Sequence, residues 1–212
     1  MRRMVTGICI LFSLFLFSGC ALWERAAFPT GTREPEKMEE PKKRENQIDP
    51  ASERLFTQAE EAYLGGDEKR ALQLAQQAID GDEKNYKAHS LKGLLLALDG
   101  RPDAGAEEIQ KALGLHPSYI QGYYEMGLAK KLGGHYEEAI RNFKKVLAAD
   151  PENTWSLYGI AACYGDMKNK EKALAFLKEA IKSGGDSVKE AAREQDHFAW
   201  LREDDAFQRL TQ

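Results

Sequence analysis

The chain has 212 residues, with 30 basic and 34 acidic side chains and a formal net charge of −4. This balance excludes the clustered basic face by which proteins typically bind nucleic acid. Charged residues of both signs make up 30% of the chain, which is typical of solvated helix surfaces. Only one cysteine, Cys163, lies beyond residue 20, so the body of the protein cannot contain a disulfide framework.

An apolar run over residues 5–17 follows a basic N-terminus and ends at Cys20. A helix needs about 20 apolar residues to cross a bilayer, whereas a run of about 7 to 15 is typical of a secretory signal. The stretch Phe17-Ser18-Gly19-Cys20 resembles the lipobox of bacterial lipoproteins. That resemblance implies a signal peptide over residues 1–19, cleavage before Cys20 and a lipid anchor such as palmitate on its thiol. An uncleaved signal anchor is the alternative.

The residues after Cys20 predict a location and a spacer. Ala21 stands where an aspartate would otherwise influence sorting, which resembles lipoproteins of the outer membrane. We therefore expect an anchor in the outer membrane facing the periplasm, with the inner membrane as the alternative. Residues 20–50 contain four of the seven prolines and many charges. They bury too little apolar surface to fold, which predicts a flexible tether with a span of roughly 30 Å.

From residue 51 the residue types recur every 34 positions. Gly93, Gly127 and Ala161 form one such series, and the turn residues Gly66, Gly100 and Gly134 form another. The clearest unit is residues 120–154, YIQGYYEMGLAKKLGGHYEEAIRNFKKVLAADPENT. Its aromatic, small, apolar and proline residues resemble those of the tetratricopeptide repeat, which has this period: Tyr123, Met126, Gly127, Gly134, Tyr136, Ala139, Phe143 and Pro151.

The resemblance implies an all-α superhelix of four helix-turn-helix repeats, over residues 52–85, 86–119, 120–153 and 154–187. Such repeats bury their apolar faces only by stacking on neighbours, and the array needs terminal caps. Residues 188–212 are not periodic and are rich in aromatic residues, which predicts capping helices. The second repeat has Gly105 where alanine is usual, a choice that costs some helix stability.

Motifs for catalysis and for metal, nucleotide or other cofactor binding are missing from the sequence. The four histidines never stand at ligand spacing on one predicted helix. Cys163 falls among apolar residues in mid-helix, where a thiol is typically a small buried hydrophobe. We therefore expect a protein without a cofactor, a bound metal or enzymatic activity.

The first helix of each repeat lines the concave surface of this family, and its groove-facing positions fall on Phe56, Glu60, Tyr63, Lys87, Ser90, Leu94, Tyr124, Leu128, Lys131, Trp155, Tyr158 and Ala162. Aromatic side chains with a polar atom are favoured anchors at binding surfaces. They predict a groove that takes an extended or helical segment of another envelope protein. The alternative is that half of the rings pack between neighbouring repeats.

These features predict a lipid-anchored scaffold that binds other proteins in a bacterial envelope. Lipoproteins of similar architecture serve pilus assembly, outer-membrane β-barrel insertion, secretion or recruitment of cell-wall hydrolases, and the sequence favours none of these. Two other interpretations stay open, an enzyme or enzyme subunit with an unrecognised site and a protein that self-associates through the ends of its superhelix. The oligomeric state is left open.

Overall fold

The computed structural model describes residues 47–212. The predicted signal peptide, the lipidation site Cys20 and nearly all of the tether lie outside the described residues. Every regular element from residue 47 onwards is helical, which confirms the predicted all-α class. Within that range, no helix is both long enough and apolar enough to span a bilayer.

Four helix pairs follow one another along the chain, each joined by a turn of three residues. The pairs are α1 (Pro50–Leu64) with α2 (Glu68–Gly81), α3 (Tyr86–Leu98) with α4 (Pro102–Leu115), α5 (Ile120–Leu132) with α6 (Tyr136–Ala149), and α7 (Thr154–Asp166) with α8 (Lys170–Gly184). After them come α9 (Asp186–Glu194), a 3₁₀ helix (Asp196–Leu201) and α10 (Asp205–Thr211).

The turns inside the pairs share one left-handed position. Gly66, Gly100 and Gly134 have φ angles of 80°, 76° and 76°, and Lys168 takes the equivalent place in the fourth pair with a φ of 60°. Glycine adopts this conformation without steric cost, whereas a side chain there costs roughly 1 kcal/mol or more. The glycine period in the sequence therefore reports the turn geometry, and the fourth turn keeps that geometry despite its lysine.

The pairs stack so that the first helices form an inner layer. α3 packs directly against both α1 and α5, and α5 also packs against α7, while each second helix packs mainly on the first helices beside it. Such packing brings the first helices together and spreads the second helices apart, which curves the stack. The concave surface therefore belongs to α1, α3, α5 and α7.

The C-terminal elements pack on the last repeat. Val188, Phe198 and Phe207 are buried in one apolar cluster with residues of α7 and α8, such as Leu177. The 3₁₀ helix lies directly against α7 rather than extending the array as a further helix pair. Residues 186–211 thus cover the exposed end of the solenoid and also reach its inner layer.

Candidate binding groove

The predicted groove residues differ widely in the surface they offer. Phe56, Ser90, Leu94, Tyr158 and Ala162 are buried, Glu60 and Trp155 are exposed, and Tyr63, Lys87, Tyr124, Leu128 and Lys131 are half-buried. Burial removes most of the area by which Phe56 and Tyr158 would contact a partner. The open part of the groove is therefore smaller than the sequence pattern indicates.

The first two repeats meet at an ion pair on the concave surface. Lys87 Nζ lies 2.6 Å from Glu53 Oε1 and 5.7 Å from the centre of the Phe56 ring. This contact with Glu53 raises the pKa of Lys87. Partial burial is the main cause of a raised pKa at Glu60, with Lys87 opposing the shift and Glu53 adding to it. Both partners of the ion pair are partly exposed, so the pair contributes little to stability.

Glu125 is buried at the centre of the groove, with only 5% of its surface exposed. The hydroxyl of Ser90 donates a hydrogen bond to one carboxyl oxygen, and Gln121 Nε2 donates to the other over 3.0 Å. Burial raises the pKa of Glu125 to about 7, against the two hydrogen bonds, and the charge of Glu60 adds to the increase. The carboxyl group therefore changes its charge near neutral pH.

The sequence prediction did not include Glu125, although the repeat pattern contains a signal for it. The residues 34 positions before and after it are Leu91 and Gly159, and both are buried. A carboxylate in phase with buried apolar residues is a buried charge, and buried charges are rare unless they are hydrogen-bonded or functional.

Two tyrosines of the groove border this carboxyl group. Burial raises the pKa of Tyr124 to about 12, with Tyr63 and Glu125 adding to the shift, and burial followed by Glu125 raises the pKa of Tyr63. The Tyr124 ring also lies 5.8 Å from the Phe143 ring, which holds it in place. The centre of the groove thus joins aromatic rings to a carboxyl group.

The chain's own C-terminal part covers the groove at the fourth repeat. Tyr158 Oη donates to Gln195 Oε1 over 3.0 Å, and Lys131 Nζ lies 3.0 Å from His197 Nε2. His197 Nδ1 in turn lies 2.8 Å from a carboxyl oxygen of Asp166. Burial lowers the pKa of Lys131. Two of the predicted binding residues, Lys131 and Tyr158, therefore already have partners within the chain.

Trp155 remains the most open aromatic residue of the predicted set. Its side chain stands at the start of α7 with 48% of the residue exposed. Its ring meets the Tyr158 ring edge-on at 5.9 Å, so one side is supported and the other faces solvent. Such a ring can anchor a partner with little loss of its own side-chain freedom.

The described residues contain no group of three or more histidine, cysteine, aspartate or glutamate side chains that could hold a metal ion. Cys163 is buried, as its apolar neighbours predicted, and burial raises the pKa of its thiol to about 12. A thiol with so high a pKa carries almost no thiolate at neutral pH and is a poor nucleophile. His89 is paired with Glu108, its Nδ1 lying 2.6 Å from Oε1 in the interior.

Comparison with known proteins decides the family. Two models of the tetratricopeptide repeat match the chain, over residues 56–120 and 133–193. The chain belongs to the tetratricopeptide repeat (TPR) family. This membership confirms the repeat prediction, and the TPR architecture makes the protein a scaffold for protein–protein interaction.

Relatives of known sequence or structure share the repeats but not the whole chain. The TPR-containing protein trd-1 of Caenorhabditis elegans is 26% identical over 121 residues, which are 57% of this chain and 16% of trd-1. The other curated relatives that match best also exceed this chain in length, which spans 16 to 20% of each.

Solved structures show the same fold. The thermophilic TPR protein TTC0263 of Thermus thermophilus has a TM-score of 0.64 at 17% identity, over 75% of this chain and 87% of that one. The protein pilF of Pseudomonas aeruginosa has a TM-score of 0.61 at 17% identity, over 76% of this chain and 73% of its own.

Proposed function

We propose that this TPR protein is a non-catalytic scaffold tethered to a bacterial envelope membrane, and that its concave groove binds a segment of another envelope protein. The anchor is a lipid on Cys20, and the outer membrane facing the periplasm is the proposed location. The proposed processes are assembly of the outer membrane, pilus or secretion machinery, or maintenance of the cell wall.

The open aromatic residues of the groove are the observation that carries this proposal. Trp155 is exposed, and Tyr63 and Tyr124 are half-buried around the central carboxyl group of Glu125. Their rings provide apolar area and hydroxyl or indole groups on a surface built from rigid helices. Interfaces typically draw most of their binding energy from a few residues of this kind.

Capture of partners from gently solubilised envelopes tests the groove. The double variant Tyr63→Ala/Trp155→Ala removes two rings at opposite ends of the concave surface without opening the buried core. We expect it to bind the captured partner at least tenfold more weakly, because truncating an aromatic anchor typically costs about 2 kcal/mol. The measurement is quantitative mass spectrometry of the bound proteins, followed by titration of the partner that is found.

A matched control separates the groove from general apolar surface. Leu115 is 44% exposed at the end of α4, in the outer layer of helices. Leu115→Ala should leave the captured proteins unchanged, and circular dichroism should show equal helicity for all variants. Equal capture by the wild type and the double variant would contradict binding in the groove.

The proposed anchor has a separate test. Cys20→Ser removes the thiol that would carry the lipid, and we expect the protein to move from the membrane fraction to the soluble fraction. Acyl chains supply the membrane affinity, at about 0.8 kcal/mol for each buried methylene group. Cys163→Ala is the control, because this buried thiol is expected to leave labelling by radioactive palmitate unchanged. A Cys20→Ser protein that stays in the membrane would instead indicate an uncleaved signal anchor.

A further inference from the structure

The segment Gln195–Trp200, here called the C-terminal turn, lies on the inner helices α5 and α7 at the fourth repeat. We propose that its seat is a binding site for short peptide segments with an amide or imidazole side chain followed by an aromatic ring, and that the chain's own turn occupies this site until such a segment displaces it. The proposal deepens the proposed function, on which it rests, by naming the partner chemistry and a means of regulation.

Polar groups of the seat recognise three side chains of the turn. Tyr158 donates to the Gln195 amide oxygen, and Lys131 and Asp166 contact the two ring nitrogens of His197. The third contact is Trp200 Nε1, which donates to the carbonyl oxygen of Gly165 over 2.9 Å. These groups come from two successive repeats, so they form a site that exists only when the repeats are stacked.

Glycine at position 165 lets the backbone of the turn approach α7. A Cβ atom built there would lie 2.6 Å from the carbonyl oxygen of His197, far inside ordinary contact distance. The in-phase residues of the earlier repeats are Tyr63, Ala97 and Lys131, which all have side chains. The fourth repeat therefore has a notch on its inner helix that the other three lack, and a peptide backbone lies in it.

An aromatic pocket lies beside the notch. Phe198 is fully buried, with its ring centre 6.0 Å from that of Tyr158 and 5.9 Å from that of Phe207. Phe198 is the apolar anchor of the turn, and the polar contacts on either side of it fix its register. A peptide that combines a ring with a preceding imidazole or amide would satisfy the same set of groups.

Several features of the turn favour exchange over permanent closure. It is a 3₁₀ helix of six residues, a conformation with poorer hydrogen-bond geometry than an α-helix. Gln195, Ala199 and Trp200 are exposed, and His197 and Lys131 are half-buried. Hydrogen bonds that water can reach contribute little net stability, since water replaces the lost partner when they open.

The test uses a labelled peptide with the sequence of residues 194–204, EQDHFAWLRED, as the probe. It is titrated against the full-length wild type and the variant Gln195→Ala/His197→Ala, in which the attached turn loses its polar contacts but keeps Phe198. We expect the variant to bind the peptide at least tenfold more tightly, because apparent affinity rises with the fraction of open seats. A peptide with alanine in place of His197 and Phe198 should bind neither protein.

A third protein ties the binding to the seat. Adding Lys131→Ala to the double variant should weaken peptide binding again, since Lys131 belongs to the seat and not to the turn. If the double variant loses helicity, the single variants Gln195→Ala and Trp200→Ala alter exposed residues and carry the same expectation. Equal affinity of the peptide for wild type and variant, or binding to neither, would overturn the proposal. Because no envelope partner is needed, this outcome is independent of the capture experiment with Tyr63→Ala/Trp155→Ala.

Discussion

Gly105→Ala is expected to lower the free energy of unfolding by about 2 to 3 kcal/mol, even though alanine is the better helix former. A Cβ atom at this position would lie 2.4 Å from the carbonyl oxygen of Gly93 and 2.9 Å from the amide nitrogen of Ala97. Both atoms belong to the backbone of α3, so they cannot move aside as a flexible side chain would. The helices α3 and α4 must separate to admit the methyl group.

The same helix supplies the control. Gly114 lies near the end of α4, and a Cβ atom there would meet nothing within 4 Å. Gly114→Ala should raise stability by roughly 0.5 to 1 kcal/mol, which is the ordinary gain in helix propensity. Urea denaturation followed by circular dichroism measures both variants. A Gly105→Ala protein that is as stable as Gly114→Ala would show that the two helices can separate at no cost.

Gly105 also shows where the sequence pattern misleads. Glycine in place of the usual alanine was interpreted as a loss of helix stability, which is true of an isolated helix. In the folded protein the partner position is also a glycine, Gly93, and the two backbones approach more closely than alanine allows. Position-by-position comparison with a family motif does not contain this pairing, because the compensation lies on the neighbouring helix.

The fold itself could be predicted because each repeat repeats the same physical solution. Small residues at Gly93, Gly127 and Ala161 allow close helix contact, and the turn glycines mark the left-handed positions. The one turn without glycine, at Lys168, was still placed correctly because its neighbours in the period fixed the spacing. Periodicity thus compensates for a local signal that is missing.

The groove was harder to predict because its accessibility depends on contacts outside the period. The contact between Lys131 and His197 joins residues 66 positions apart, and His197 belongs to the segment that does not repeat. Nothing in the repeat pattern indicates that this segment turns back onto α7. Trp155, at the start of the same helix, is beyond its reach and stays exposed.

Glu125→Gln is expected to stabilise the protein by about 2 to 3 kcal/mol at pH 8 and to change its stability little at pH 4.5. In the folded chain burial raises the pKa of Glu125 to about 7, against an ordinary value of 4.5. Between these values the folded state binds more protons than the unfolded state, so the free energy of unfolding falls as the pH rises. The stabilising contribution of the protonated form is complete below about pH 4.5 and is lost as the pH passes 7.

Glutamine keeps the neutral form at every pH. Its carbonyl oxygen can accept from Gln121 and its amide can donate to Ser90, so neither partner is left without a hydrogen bond. Each unit of pKa difference corresponds to about 1.4 kcal/mol, which sets the expected size of the effect. Denaturant titrations at the two pH values measure it. Glu61→Gln, on an exposed residue of α1, is the control and should change stability by less than about 0.5 kcal/mol at either pH.

The ionisation of Glu125 also connects stability to binding. Below pH 7 the centre of the groove carries a neutral acid beside Tyr63 and Tyr124, and above it a carboxylate that Glu60 already repels. Substituting Glu60 by glutamine removes that repulsion and should shift the pH at which stability falls to a lower value. If Glu125→Gln is no more stable than the wild type at pH 8, the carboxylate is already compensated by its hydrogen bonds. The groove would then carry a fixed negative charge throughout the physiological range.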